Sequence, residues 1–255
     1  VKLAWVSHHL PRAVPTDNPP TGLLPGLYAG GAEMADDEVL ATTPPDVEVH
    51  RVGPHDWAQA MDFDRIVITG TDLLTDDAMR TLATRHPLVW PHHQQTPAQA
   101  RRELFESARP FLTRSQAHSV VEKSWSGVVS QWCHGAIDPD CVTPGVKEPF
   151  ALWAGRDHPQ KGRINARIWA QRNGMPLREL TNVPRAQVLD AMAVAEVFVY
   201  LPKGHDTIPR TLIEAELAGC RIVTNADAGR RDPGPIRDVL AAQITNFWTW
   251  TKENA

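Results

Sequence analysis

Short runs of β-branched and apolar residues alternate along this chain with longer stretches in which apolar positions recur every three or four residues. In the first half, Lys2–Ser7, Val47–Val52, Arg65–Thr69, Leu88–Pro91, Pro110–Thr113 and Val128–Trp132 read as strands. Between them, Glu33–Leu40, Asp76–Thr84, Pro97–Ser107 and Gln116–Ser124 have helical spacing. Strands separated by helix-length segments predict parallel βαβ units and an α/β doubly wound sheet. A stretch bearing Pro and Gly, IDPDCVTPGVKEP, reads as a linker. Beyond it come strand Phe150–Ala154, helix Ile164–Arg172, strand Leu177–Leu180, helix Ala186–Ala193, strand Glu196–Leu201, helix Arg210–Ala218, strand Arg221–Asn225 and helix Ile236–Ala242. That is a second, smaller βα set. The end of the chain, ITNFWTWTKENA, carries Phe247, Trp248 and Trp250 and predicts a helix folding back across the linker.

One connection is unusually long. Segment 8–32, between the first strand and the first helix, contains Pro11, Pro15, Pro19, Pro20 and Pro25. Connections longer than about 12–15 residues are usually functional or disordered. This one leaves the strand edge where parallel sheets bind ligands. A mobile cover over a cleft and plain surface decoration are both consistent with it.

Composition narrows the class. With 42% hydrophobic and 22% charged residues the chain is globular in character. Twenty-six Lys and Arg against 30 Asp and Glu leave a net charge of −4, with no bulk attraction for nucleic acid or an anionic membrane. No apolar run approaches the roughly 18–20 residues of a membrane helix, and the N-terminal run is too short for a signal peptide. Three cysteines argue against a disulfide framework and for a reducing compartment, so a cytoplasmic protein is expected.

Candidate chemistry clusters in four places. In GHDTIPRTLIEAELAGC, Pro209 suits the first turn of a helix starting near Ile208, with Asp206 before it and Glu214 inside it. The helix N-terminus offers N–H groups and a positive dipole end to an anion. Arg210 is disfavoured there by the same dipole and needs an anionic partner, a protein carboxylate or a bound phosphate. Two carboxylates beside a phosphate would repel it, so sugar hydroxyls are their natural ligands. A helix cap at Asp206 and a surface ion pair at Glu214 are the plainer alternative. In ALWAGRDHPQKGR, Arg156 and Lys161 project from a loop after a strand and form a candidate diphosphate clamp; two solvated loop cations are the alternative. Gly30 and Gly31 permit close backbone approach to a ligand, but no GxGxxG fingerprint is present. His92 and His93 end a strand and point apart, which speaks against a shared metal; no HExxH or paired CxxC occurs, and no metal site is expected.

Taken in order, these motifs resemble the retaining GT-B glycosyltransferases of the family-four type, in the short form seen in phage- and virus-like members. The GGAE-type loop is similar to Gly30-Gly31-Ala32-Glu33, and the family histidine after the fourth strand to His92. An NGVD-type bend is echoed by Gly135-Ala136-Ile137-Asp138, and G-R-x4-K-G by Gly155, Arg156, Lys161 and Gly162. The E-x7-E signature is matched by Asp206 and Glu214, with Asp in the first place. The resemblance implies two Rossmann-like domains facing across a cleft: 1–146 on the acceptor side, 147–235 binding a nucleotide sugar, and 236–255 packing back across the linker. It implies a hexosyltransferase that retains anomeric configuration and needs no metal or other cofactor. Arg156, Lys161, Arg210, Thr211 and Glu214, with Gly30 and Gly31, would bind the donor; His92 and Asp206 would contact the transferred sugar. The acceptor (glycan, protein or modified DNA base) and the oligomeric state are left open. Between Lys161 and Val197 one strand-helix unit of the family looks trimmed. A GT-B sugar-nucleotide epimerase and a non-catalytic nucleotide-sugar-binding protein are the alternatives.

Overall fold

A computed structural model describes residues 1–7, 31–72, 74–92, 95–114, 116–133, 137–204, 206, 209–228 and 234–253. The chain forms two compact units. The first comprises Val1–Arg114, Ser119–Ala136 and Gln243–Ala255; the second comprises Ser115–His118 and Ile137–Ala242.

The first unit contains β1 (Lys2–Val6), α1 (Gly31–Ala41), β2 (Glu48–Val52), a 3-10 turn (Trp57–Asp62), β3 (Arg65–Ile68), α2 (Asp76–Ala83) and β4 (Leu88–Val89). After these come α3 (Gln99–Ser107), β5 (Leu112–Thr113), α4 (Gln116–Ser126) and β6 (Gln131–Trp132). Strands β2-β1-β3-β4 lie side by side and parallel, and a parallel Val89–Phe111 bridge leads on to the β5–β6 pair. Leu3, Ala4, Trp5 and Val6 are all fully buried, as expected of a central strand covered on both faces. Alternation sorts them: Ala4 and Val6 join α2 and α3 in one core, while Leu3 and Trp5 join Ala35 and Val39 of α1 in another. Thr75 caps α2 by accepting from the Ala78 amide at 3.2 Å, with Asp76 and Asp77 in the first turn where the dipole favours acids. Strand β4 is shorter than the expected Leu88–Pro91, because Pro91 has no N–H to give a ladder.

The second unit contains β7 (Glu148–Ala154), a 3-10 turn (Pro159–Lys161), α5 (Arg163–Arg172), β8 (Leu177–Leu180), α6 (Arg185–Val194), β9 (Ala195–Tyr200), α7 (Arg210–Leu217) and β10 (Arg221–Thr224). Its parallel sheet has the order β10-β9-β7-β8. Leu152, Ala154, Phe198 and Tyr200 face α6 and α7, and Ala151, Trp153, Val197 and Val199 face α5. Among the described residues, β8 is the one strand between Lys161 and β9. The Lys147 ammonium donates to the carbonyls of Met192 (3.1 Å), Ala193 (3.0 Å) and Ala218 (2.6 Å), closing the C-terminal ends of α6 and α7 where a cation is favoured.

Two boundaries differ from the sequence reading. Residues 137–146, expected in the first domain, belong to the second unit because Ile137 and Val142 are buried in its core. The expected break after Ala242 is absent: α8 runs unbroken from Ile236 to Glu253, since its apolar spacing continues past that point. Ile236 and Leu240 pack in the second unit's core, and Ile244, Phe247, Trp248 and Trp250 in the first unit's. No helix among the described residues is long and apolar enough to cross a membrane.

Candidate active site

Because β7, β9 and β10 are parallel, the loops that follow them emerge at one edge of the second unit's sheet. Backbone contacts bind these loops together. The Lys203 amide donates to the Gln160 carbonyl at 2.9 Å, the Asp206 amide to the Asp227 carbonyl at 2.8 Å, and the Asn165 side chain to the Leu201 carbonyl at 2.8 Å. Gly162 has φ of +73°, and a Cβ there would lie 2.0 Å from the Leu201 oxygen. Only glycine lets the Lys161 loop press so closely on the exit of β9.

Two charged clusters result. In one, Lys161 Nζ lies 2.7 Å from Asp206 Oδ2, which also accepts from the Tyr200 hydroxyl at 2.5 Å. Burial, and then the Asp206 charge, push the Tyr200 hydroxyl well above its ordinary pKa, so it stays a donor. The Trp153 indole donates to the Lys161 carbonyl at 3.1 Å and fixes the loop from below. The side chain of Lys161 is 33% exposed and that of Asp206 16%, so the cation is the more open partner.

In the other cluster, Glu214 is 2% exposed and its Oε1 receives Arg210 Nε at 2.6 Å and Arg185 Nε at 2.9 Å. The anionic partner that Arg210 requires is therefore a protein carboxylate four residues along the same helix. Helix α7 begins at Arg210 rather than near Ile208, so Pro209 stands just outside it at the capping position. Thr211 is half-buried in the first turn, and Arg156 is exposed in the loop after β7.

The first unit holds a third polar cluster at the carboxyl edge of its own sheet. His92 Nε2 lies 2.7 Å from Asp36 Oδ1, and both side chains are buried. Thr69 donates to Asp36 Oδ2 at 3.0 Å. Burial alone would raise the Asp36 pKa, but the charge and hydrogen bond of His92, helped by Thr69, outweigh it and hold the carboxyl below its ordinary value. An ionised carboxylate only accepts, so the Nε2 proton is donated to it and Nδ1 faces Arg114 Nη1 at 3.4 Å. Trp90 meets the His92 ring edge-on at 4.6 Å, and the Arg114 guanidinium lies over Trp90.

The structure thus pairs Lys161 with Asp206 and Arg210 with Glu214, and places His92 in a cluster of the first unit. Gly31 is the first residue of α1; Gly30, His93, Gly135, Ala136 and the long segment 8–30 lie outside the described residues. Sequence reasoning missed Asp36 and Arg185. The signal for Asp36 was an acid beside Ala35 and one turn before Val39, on the buried face of α1. Nothing in the spacing marked Arg185. Among the described residues, no three His, Cys, Asp or Glu side chains gather as a metal site.

No protein-family model matches the sequence, and no curated protein does. Solved structures match along nearly the whole chain. AviGT4, a glycosyltransferase involved in avilamycin A biosynthesis, aligns with a TM-score of 0.59 at 15% identity, covering 99% of this chain and 95% of that one. An α-glucosyltransferase in complex with UDP and a 13-mer DNA containing an HMU base gives 0.56 at 12% identity, covering 99% and 91%. HepE of Anabaena, in complex with UDP and glucose, gives 0.56 at 12%, covering 98% and 91%. The chain has the GT-B fold. In the second unit, the connections after β7 and β9 carry Lys161 and Asp206, and α7, which follows β9, carries Glu214. At these identities the likeness speaks for architecture, and the chemistry is argued from the residues themselves.

Proposed function

We propose that the protein is a retaining, metal-independent glycosyltransferase that moves a sugar from a nucleotide-diphosphate donor to an acceptor hydroxyl. The observation that carries this reading is the charge balance at the carboxyl edge of the second unit. In the two paired clusters Lys161, Arg185 and Arg210 meet two carboxylates, Asp206 and Glu214, so three cations against two acids leave an excess of one positive charge, and Arg156 is exposed in the loop after β7. A nucleotide diphosphate is the complementary ligand at the end of parallel strands. Several of the matched structures are complexes with UDP, which agrees with that choice.

In the proposed mechanism, Lys161 and Arg156, with Arg210 and Thr211 in the first turn of α7, bind the diphosphate. Glu214 accepts from the ribose hydroxyls and Asp206 from hydroxyls of the donor sugar. His92, whose two ring nitrogens face Asp36 and Arg114, acts within the first unit. The bond between the anomeric carbon and the diphosphate oxygen breaks as the acceptor oxygen attacks on the same face. The acceptor proton passes to the departing phosphate oxygen, and configuration is retained. Negative charge grows on the leaving group, where preorganised cations are most effective; removing one such group typically lowers the rate on the order of 10²–10³-fold.

Incubation with UDP-, GDP-, ADP- and dTDP-sugars, in the presence of EDTA, tests the reading. Slow donor hydrolysis, or transfer to an added acceptor, with retained configuration and no loss on chelation is the expected outcome. Epimer formation assigns the site to an epimerase, and binding without turnover to a nucleotide-sugar-binding protein. Strict metal dependence contradicts the proposal.

A further inference from the structure

Glu214 carries more positive charge than its own neutralisation requires. Its side chain is 2% exposed, and one cation suffices to balance a buried carboxylate. Arg210, 9% exposed and one turn earlier on the same helix, already provides it. Arg185 adds a second cation from a different helix, α6, with 34% of its side chain exposed. Both guanidinium groups converge on the same oxygen, Oε1, whereas Oε2 accepts no hydrogen bond from any described residue. Arg185 Nη2 is buried and lies 2.9 Å from Oε1 without hydrogen-bond alignment. The guanidinium nitrogen is buried without an aligned acceptor, whereas Oε2 is not among the buried unpartnered atoms and stays open to a donor from a ligand.

We propose that Arg185 is a positioning residue of the donor site, holding Glu214 by Oε1 so that Oε2 receives the ribose diol. The inference rests on the glycosyltransferase reading and extends it to a residue outside the E-x7-E motif. With Arg185 and Arg210 against Glu214, the cluster keeps one net positive charge. The ribose-binding acid therefore does not repel the diphosphate.

The test uses isothermal calorimetry with UDP, GDP and ADP, followed by the 2′-deoxy form of whichever binds most tightly. Wild-type protein is expected to prefer the ribose form by about 10-fold or more, the worth of a hydrogen bond to a charged group. Arg185→Ala should weaken the ribonucleotide about 10-fold and reduce the ribose preference to less than about 3-fold. Arg185→Lys should restore part of the affinity, through its charge, without restoring the preference, because an ammonium lacks the guanidinium fork. A purely structural role would lower the melting temperature and leave the ratio of ribose to deoxyribose affinity intact. An unchanged ratio in folded Arg185→Ala or Arg185→Lys overturns the inference while leaving the function standing. Absence of a ribose preference in the wild type overturns it as well. Failure of the wild type to bind any of the three diphosphates instead removes the glycosyltransferase reading on which it rests.

Discussion

The two units place charged side chains at equivalent sheet edges yet treat them differently. In the first, Asp36, His92 and Arg114 are all buried and wrapped by Trp90. Each group there is a partner to the next, from carboxylate to imidazole to guanidinium. In the second, cations outnumber acids, Lys161 stays one-third exposed, and Glu214 keeps an oxygen without a described donor. The comparison teaches that one scaffold supports two uses of charge. A closed set of pairs fixes the direction of one ring, while an unbalanced set leaves a field for an anion to complete.

Substitutions that erase this difference have graded consequences. The largest is expected from Gly162→Ala. Its Cβ would meet the Leu201 carbonyl oxygen at 2.0 Å in a left-handed backbone conformation, so the Lys161 loop must lift off β9. A loss of about 4 kcal/mol or failure to fold is predicted, the scale of severe backbone and packing lesions. Urea unfolding checks it, and a stable variant that still binds a nucleotide diphosphate normally would show the close approach to be dispensable.

A smaller effect is expected in the first unit. Asp36→Asn keeps the shape but removes the charge accepting from His92, which should lower stability by about 2 kcal/mol at neutral pH. The sign with pH follows from the depressed carboxyl. Its contribution is fully present above the unfolded-state value near 3.9 and is lost as pH falls through the lower folded value. The difference between wild type and Asp36→Asn should therefore shrink on acidification below about pH 4. Denaturant melts at pH 7, 5 and 3 measure it, and a gap that stays constant across them would show that the pair is not ionic.

Much of this architecture was legible before any coordinates. Fully buried strands such as β1 and β9 announce themselves as unbroken apolar runs between polar helices, and every strand expected in the second half is present with ends shifted by one or two residues. Spacing placed Lys161 and Asp206 in loops after strands and Glu214 in the following helix, but it left plainer alternatives open, and only the family resemblance joined the three into one site. Asp36 and Arg185 were not, because their partners lie 56 and 29 residues away and only the packed fold brings them together. The continuity of α8 escaped for a related reason. Ile236 and Leu240 serve one core and Phe247 and Trp248 another, so no single apolar face runs through the whole helix. The 3-10 turn at Trp57–Asp62 has no periodicity that separates it from a loop.

The central claim concerns the excess charge of the second unit, and its most direct test is the affinity of one nucleotide diphosphate for wild type and for Lys161→Ala at two ionic strengths. Lys161 is the most exposed cation of the two paired clusters apart from Arg185, and its removal also leaves Asp206 without its ammonium partner. The predicted result is micromolar or tighter binding by the wild type, weakening with salt, and a loss of about 10- to 100-fold in the variant, which stays folded at a lowered melting temperature because Asp206 keeps the Tyr200 hydroxyl as a donor. Equal affinity in the two proteins, at both salt concentrations, would contradict the assignment of this edge to a sugar-linked diphosphate.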